Sequence, residues 1–499
     1  MLRPLAVITA CLWLSVILGP AFGNGHSMEL FTGLDMTQQP TDVKVVGQLT
    51  TVKFRCRAST YPSAPSPSYE WFSRSEYDTN PLFNQLVNDD LHSIYFDGVD
   101  SVLEISVENF FLSRGPIPMR FQCRAYTYSG SIMSRVARLS FGVLGEFPGT
   151  PMQVVNVTAY ERKILKCPNI YSDPGVTYSW YIGNNPYNIV SERSTPTVFS
   201  SATNGRLYFS SLSLTHSGTY HCVVNLTAAG SGYELRGKDA QASRSHSNGI
   251  FLNVASNPNP PTDMPTLTSE IPDDFLSILP TTPIQGDDVM LECFAYDTTG
   301  APVYYRWIRR SSMFGVEWPL PAGYSTANRN RTLTLHHIQT WDNGTYECVA
   351  ESYRGSDYWT ESRSTFVQVK AKPGFTRHME DQLAVEGQTL TLECHPWGAP
   401  PPEVNWFKDG VKVMDHSDSR FTSSLYIYGN KLEISFFSGD MHAGLYQCGA
   451  SNYLGTAYDT VEVAYKHDDN GNSVSAGAQC CSVTSAAMVV MAMTMTYFL

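Results

Sequence analysis

Residues 341–348 read WDNGTYEC, and this octet decides the fold. Tyr346 stands two residues before Cys348, Gly344 two before the tyrosine, and Asp342 two before the glycine. Such a tyrosine keeps its ring in an apolar core while its hydroxyl bonds back to the chain at a corner. The glycine lets that corner turn. The pattern returns at 215–222 (THSGTYHC, with Tyr220 and with His216 in the acid's place) and at 440–448 (DMHAGLYQC, with Tyr446). Asp440 lies four residues before its glycine, which predicts an insertion there, with Arg420 across the corner as an ion-pair partner. A fourth segment, SRGPIPMRFQC (113–123), has Phe121 at the tyrosine position and no acid–glycine pair, so its corner is expected to be distorted. His216 reads as a turn residue rather than a pH sensor.

Working outward, each of these cysteines has a partner upstream. Apart from Cys11, Cys480 and Cys481 at the ends, the cysteines are Cys56, Cys123, Cys167, Cys222, Cys293, Cys348, Cys394 and Cys448. Taken in order as pairs they are 67, 55, 55 and 54 residues apart. A tryptophan follows each first cysteine inside the interval: Trp71, Trp180, Trp307 and Trp406. Cysteine, tryptophan and cysteine at this spacing are the mark of an immunoglobulin sandwich. The cysteines sit on strands B and F, and the tryptophan on strand C packs against their disulfide. Each closed loop contributes roughly 4 kcal/mol by restricting the unfolded chain, in the entropy account. A zinc site needs close C-x-x-C pairs, and these eight form none. Alternating stretches fit the strands: DVMLEC (288–293) and TLTLEC (389–394) for strand B, and SVLEISV (101–107), RLYFSSLSL (206–214), TLTLHHI (332–338) and KLEISF (431–436) for strand E.

The fold class predicted is therefore all-β, four tandem immunoglobulin-like sandwiches. They are placed at 35–144, 147–254, 281–370 and 374–465. Short linkers join the first two and the last two. The middle connection, 255–280, is rich in proline and cannot be regular structure for most of its length. A long middle connection between two tight pairs predicts a chain folded back into a horseshoe, the alternative being an open rod.

The ends carry addresses. Residues 1–23 (MLRPLAVITACLWLSVILGPAFG) read as a secretory signal peptide, with a basic start, an apolar run and a small-residue cleavage site. An oxidising compartment, where cysteines pair, follows from that reading. After a stalk at 466–475 (KHDDNGNSVS), residues 476–499 lead into an uncharged, mostly apolar run from Ala486 to Leu499. As a helix that run reaches about 21 Å, short of a hydrocarbon core of about 30 Å. Small residues, a spacer and an apolar tail are the pattern of a GPI-anchor signal, with Ser475 as the attachment residue and Ser473 and Gly477 as neighbouring choices. A short membrane helix with Cys480 and Cys481 palmitoylated is the other reading.

The net charge is −12, and the 34 Lys and Arg residues do not cluster, which speaks against nucleic acid or anionic lipid as partners. The 28 tyrosines and 9 tryptophans suit β-rich domains with aromatic cores. No nucleophile elbow or phosphate-binding glycine loop occurs, and no cofactor is expected, so an enzyme is not expected either. HDDNGN (467–472) lacks the acid spacing of a calcium loop and reads as a solvated stalk. In LHHIQ (335–339), His336 and His337 are expected on opposite faces of a strand, which suits no metal. Sequons place candidate glycans on Asn156, Asn225, Asn330 and Asn343. Asn343 falls at an exposed corner, and Asn225 just after strand F. The long F–G connection of the second domain, 227–249, reads either as a loose hairpin or as a binding loop.

Further stretches are specific: SRVARLSFGVLGEF (134–147), VTYSWYIGN (176–184) with TNGRLYFSSLSL (203–214), MLECFAY (290–296), GTYECVAESYRG (344–355) and, more loosely, PPEVNWFKDG (401–410). Through them the body of the chain resembles the N-terminal immunoglobulin domains of the contactin family of GPI-anchored neural adhesion proteins. The resemblance implies a compact horseshoe of four domains at the cell surface, binding cell-surface proteins, itself among the candidates. It departs in lacking the further immunoglobulin and fibronectin type III domains. The four-domain plan is also similar to hemolin, a secreted immune protein.

Overall fold

The computed structural model describes residues 31–465, apart from 62–63, 79–81, 191–196, 229–232, 247, 260–266, 269–275, 298–302, 311–315, 355 and 414–423. The chain is all-β, with four sandwiches in sequence. In the first, strands Asp35–Gln38, Thr51–Ser59, Ser101–Ser106 and His92–Phe96 form one sheet. The facing sheet contains Val43–Val46, Ala137–Leu144, Met119–Thr127, Ser68–Ser75 and Asn84–Gln85. The strand TVKFRCRAS (51–59) shows why. Val52, Phe54, Cys56 and Ala58 point into the core, while Lys53, Arg55 and Arg57 alternate outward. All three outward cations meet acids on or just before the neighbouring strand: Arg57 Nε lies 2.7 Å and Arg55 3.0 Å from Asp100, and Lys53 Nζ lies 3.2 Å from Glu104.

The four cystine bridges are Cys56–Cys123, Cys167–Cys222, Cys293–Cys348 and Cys394–Cys448. Each tryptophan stands directly opposite the second cysteine of its pair: Trp71 by Cys123, Trp180 by Cys222, Trp307 by Cys348 and Trp406 by Cys448. Trp71, Trp180 and Trp406 are fully buried. Trp307 is only half-buried and donates its indole N–H to the Asn330 carbonyl at 2.8 Å. Buried Tyr305 fills the core beside it, bonding its hydroxyl to Ala295 O at 2.8 Å.

An early strand paired in parallel with the last closes three of the sandwiches: Val43–Val46 on Ala137–Leu144, Gln153–Thr158 on Ile250–Ala255, and Gln382–Ala384 on Gly455–Tyr465. The third domain reduces this to one bridge, Ile284 with Lys370.

The tyrosine corners are alike in geometry. Tyr220 donates to His216 O at 2.9 Å, Tyr346 to Asp342 O at 2.9 Å, and Tyr446 to His442 O at 2.7 Å. The residue that supplies the carbonyl also supplies a side-chain acceptor for the backbone N–H that opens the turn. Asp342 accepts from Gln339 N at 2.9 Å, His216 Nδ1 from Ser213 N at 3.0 Å, and His442 Nδ1 from Ser438 N at 2.8 Å. In the fourth domain it is thus His442, not Asp440, that takes the acid's role. Asp440 lies within a short helix, Gly439–His442, and accepts from the Tyr465 hydroxyl at 3.1 Å. Arg420 lies outside the described residues. Among the described residues, an ion pair at a corner occurs in the third domain, where buried Arg309 lies 3.8 Å from Asp342.

The first domain replaces the corner with an α-helix, Val107–Arg114. Ser106 caps it, Gly115 at φ 69° ends it, and Val107 and Phe110 are its buried residues. Phe121, which has no hydroxyl to bond, packs tilted against Phe54 with ring centres 5.2 Å apart.

Candidate interaction surface

The domains pair end to end and side by side, and three joints decide which surfaces stay open. The first joint closes domain 1 on domain 4. Met133 N donates to Gln447 Oε1 at 2.7 Å, and Gln447 Nε2 donates back to Met133 O at 3.2 Å. One buried amide therefore satisfies both polar groups of a strand residue in another domain. Ser131 Oγ donates to Asp409 O at 2.7 Å, and Gln122 Nε2 to the Tyr458 hydroxyl at 3.3 Å. Glu462 accepts from Thr32 N at 2.7 Å, Thr32 Oγ1 at 2.9 Å and Gly33 N at 3.1 Å. Burial raises the Glu462 carboxyl above its ordinary range, and these bonds oppose the rise. Leu34, Ala58, Ala125, Ile132 and Leu445 form the apolar floor.

The second joint closes domain 2 on domain 3. Tyr208 and Phe294 stack with ring centres 4.2 Å apart, and Phe199 lies 6.0 Å from Phe294. The Arg331 guanidinium covers Phe199 and Phe294 at 5.3 and 5.4 Å. Beside this stack Glu292, 3% exposed, accepts from Ser201 Oγ at 2.6 Å, Thr203 Oγ1 at 2.9 Å, Ala202 N at 3.0 Å and Thr203 N at 3.3 Å. Both joints thus bury one glutamate of the C-terminal pair of domains under backbone and hydroxyl donors of the N-terminal pair. The chain is folded back into a horseshoe.

The third joint is the long F–G connection of domain 2. Its strand Glu234–Arg236 lies parallel against Val43–Val46 of domain 1, with Leu235 opposite Lys44. Glu234 N donates to Asp42 O at 3.0 Å, and Lys238 N to Gln48 O at 2.9 Å. Lys44 is buried over the Tyr233 ring and reaches Asp173 at 2.6 Å. Gly237, at φ 113°, passes so close that a Cβ there would sit 2.2 Å from Val46 O. The described part of this connection is therefore neither a loose hairpin nor a free recognition loop. It pairs with a strand that would otherwise be a sheet edge. Nothing in the residue types of 227–249 announced this, because strand addition uses backbone groups, which every sequence has.

The surfaces left open include the outer face of domain 3. There Tyr304, Tyr353 and Tyr358 are exposed, with ring centres 6.0 and 5.1 Å apart in sequence. Glu351 accepts from the Tyr353 and Tyr358 hydroxyls at 3.2 and 3.3 Å and pairs with Arg306 at 3.0 Å. Exposed tyrosines with an arginine are the composition of protein-binding surfaces.

The candidate glycan sites fall in different settings. Asn156 and Asn330 are exposed. Asn225 stands within the strand Gly218–Leu226, not after it, and is half-buried. Asn343 is half-buried, with its Oδ1 accepting from Val369 N at 2.6 Å. His336 and His337 follow the strand Thr332–Leu335 rather than lying in it. Both turn toward Asp288, at 3.0 and 3.9 Å, because His337 takes a left-handed φ of 51°. Ser475 and the 467–472 segment lie outside the described residues. Among the described residues no cluster of metal-ligating side chains occurs, and no helix is long and apolar enough to cross a membrane.

Comparison with known proteins agrees with this architecture. The immunoglobulin domain family matches residues 276–352 and 372–452, and a second immunoglobulin domain family matches 149–236. Contactin of Drosophila melanogaster is 27% identical over 413 residues, covering 83% of this chain and 26% of that one. Contactin-5 of Gallus gallus is 25% identical over 463 residues, covering 91% and 38%. The chain thus spans between about a quarter and two fifths of the length of these curated relatives. The crystal structure of the insect immune protein hemolin superposes with a TM-score of 0.58 at 16% identity, covering 88% of this chain and all of that one. The four sandwiches, their cystine frames and these matches make the chain an immunoglobulin-domain protein homologous to the N-terminal part of the contactins.

Proposed function

We propose that the chain is a cell-surface adhesion or recognition protein that works by binding, with no chemistry of its own. The observation that carries this reading is the closed horseshoe. Buried contacts lock four domains into one unit, which presents a broad, rigid and aromatic outer face. A rigid platform loses little entropy when it binds. The likeness to the contactins is in keeping with adhesion, to which this reading adds a role in neural tissue or axon guidance, and the hemolin structure is described with implications for homophilic adhesion. The partner is another cell-surface protein or a second copy of this chain, on the same or an opposing cell. Neither nucleic acid nor a catalytic substrate is part of this reading.

In the same reading, residues 1–23 direct secretion, 476–499 are exchanged for a GPI lipid at Ser475, and glycans on Asn156, Asn225, Asn330 and Asn343 shield the faces they cover. Two tests apply. In a mixed-cell aggregation assay, expressing cells should cluster, with each other if binding is homophilic and with receptor-bearing cells if it is heterophilic. Displayed protein that supports neither would overturn the adhesive reading. Phosphatidylinositol-specific phospholipase C should release the protein from cells. Retention with an intact tail favours a membrane-spanning form, and free protein in the medium favours a secreted, hemolin-like one.

A further inference from the structure

In three of the four sandwiches the last strand is covered, in whole or in part, along its outer edge. Ala137–Leu144 carries Val43–Val46, with Glu234–Arg236 beyond it. Ile250–Ala255 carries Gln153–Thr158 over its whole length. Gly455–Tyr465 carries Gln382–Ala384, and domain 1 lies against it through Thr32 on Glu462 and Gln122 on Tyr458. Domain 3 is different. Its last strand, Asp357–Val367, has 11 residues and pairs on one side with Gly344–Arg354. On the other side the sheet stops. Among the described residues no strand pairs there, and the single bridge from Ile284 falls at Lys370, past the strand's end. The joint with domain 2 draws on Glu292, Phe294 and Arg331, in or beside the opposite sheet. An uncovered edge offers a row of backbone N–H and C=O groups to another strand. Tyr358, Thr360, Ser364 and Phe366 are exposed along one face of this strand, and Glu361 and Arg363 are partly exposed on the other.

We propose that this edge is a self-association site, where a second copy of the chain adds its own Asp357–Val367 strand antiparallel to the first. The inference rests on the adhesive reading in its homophilic form and names the surface that does the binding. The residues of the strand select a second copy as the occupant. Two identical strands paired antiparallel are related by a two-fold axis. With that axis at Ser362, Glu361 of each copy stands opposite Arg363 of the other, Tyr358 opposite Phe366, and Thr360 opposite Ser364. Opposite charges, aromatic pairs and hydroxyl pairs are the cross-strand neighbours that stabilise a sheet, and symmetry makes each of them twice. Within one chain Arg363 already lies 2.8 Å from Glu361 and donates to Ser362 O at 2.9 Å. Pairing of two copies therefore closes four charges of alternating sign into a ring. The charges also fix the register. Moving the axis to Glu361 sets glutamate opposite glutamate, and moving it to Arg363 sets arginine opposite arginine, both unfavourable. An axis between two residues puts the exposed row of one copy beside the core-facing row of the other. The axis at Ser362 reverses the long direction of domain 3, so the two copies point opposite ways, as on facing membranes.

The test is sedimentation equilibrium of the whole secreted protein. A reversible dimer is expected at micromolar to millimolar concentration. Glu361→Arg and Arg363→Glu should each weaken it about tenfold or more, since symmetry repeats the like-charge contact. The two variants mixed should dimerise as the native protein does, because the arginines of one then face the glutamates of the other. That rescue also shows that both variants are folded. Phe366→Ser, at an exposed site, should weaken the dimer without touching the charges, and it keeps the test decisive if a charge variant misfolds. A native protein that stays monomeric at millimolar concentration overturns the proposal. So does a dimer indifferent to all three substitutions, or one that two folded charge variants lose singly and do not regain when mixed. On cells, each charge variant alone should fail to cluster while the two populations together should cluster. Undiminished clustering of either variant alone removes this strand as the binding surface and leaves the adhesive reading standing. Native cells that cluster neither with each other nor with receptor-bearing cells remove that reading itself.

Discussion

Glu292→Ala should loosen the fold-back of domain 2 on domain 3, and the size of the effect can be worked from the contacts. The carboxylate accepts two hydroxyl and two backbone bonds from residues 201–203. Bonds to a charged group are worth about 1.5–3 kcal/mol each. Against them stands the cost of keeping the carboxylate dry, which also raises its pKa. After the substitution the Ser201 and Thr203 hydroxyls can turn elsewhere: Thr203 Oγ1 already bonds Ser277 Oγ at 2.7 Å, and Thr203 N also donates to Ser201 Oγ. Ala202 N has no such second acceptor among the described residues. One stranded buried donor and the loss of the charged bonds, less the recovered desolvation, leave a net cost of about 3 kcal/mol, close to 100-fold in the ratio of closed to open forms. Glu292→Gln keeps an acceptor for Ala202 N, and its amide can donate to the two hydroxyls, so it should cost no more than about 1.5 kcal/mol. The assay is small-angle scattering across a urea titration, following the radius of gyration. The alanine variant should open at clearly lower urea, with the glutamine variant between it and the native protein and near-ultraviolet circular dichroism showing domain 3 still folded. Superimposable opening curves for all three would refute the reasoning and place the strength of the joint in the Tyr208–Phe294–Arg331 stack alone.

Other outcomes follow from the same contacts. Gly237→Ala should unpair the segment 234–236 from domain 1, since its Cβ would meet Val46 O; amide exchange in Val43–Val46 should then quicken while domain 3 is unaffected. Desolvation lowers the pKa of His216 and of His442, so below a pH of about 6.5 the unfolded chain takes up protons that the folded domains refuse. Stability of domains 2 and 4 should therefore drop as pH falls from 7 to 5. His216→Asp, which copies the acceptor that Asp342 provides in domain 3, should reduce that pH dependence in domain 2. Tyr346→Phe should cost domain 3 about 1 kcal/mol by removing one bond to Asp342 O, a loss of a few degrees in its melting temperature.

The sequence by itself determined what is local and periodic. Cysteine and tryptophan spacing placed four sandwiches, because a disulfide and a ring that pack against each other need fixed strands around them. The tyrosine before the second cysteine placed three corners, and Phe121 marked the fourth as different. What those corners contain was less legible: His442 replaces the acid by imidazole acceptance, a role shared with His216 that only the hydrogen bonds reveal. The half-exposure of Trp307 was also hidden, since it depends on Tyr305 filling the space beside it. Tertiary structure alone decided the joints. Gln447 reaches Met133, Glu292 reaches Ala202 and Leu235 pairs beside Lys44 across gaps of many residues in the chain, through backbone groups that carry no sequence signature. Gln447 and Glu292 read as ordinary surface residues until the domains meet, because their burial arises only from the approach of two surfaces distant in sequence.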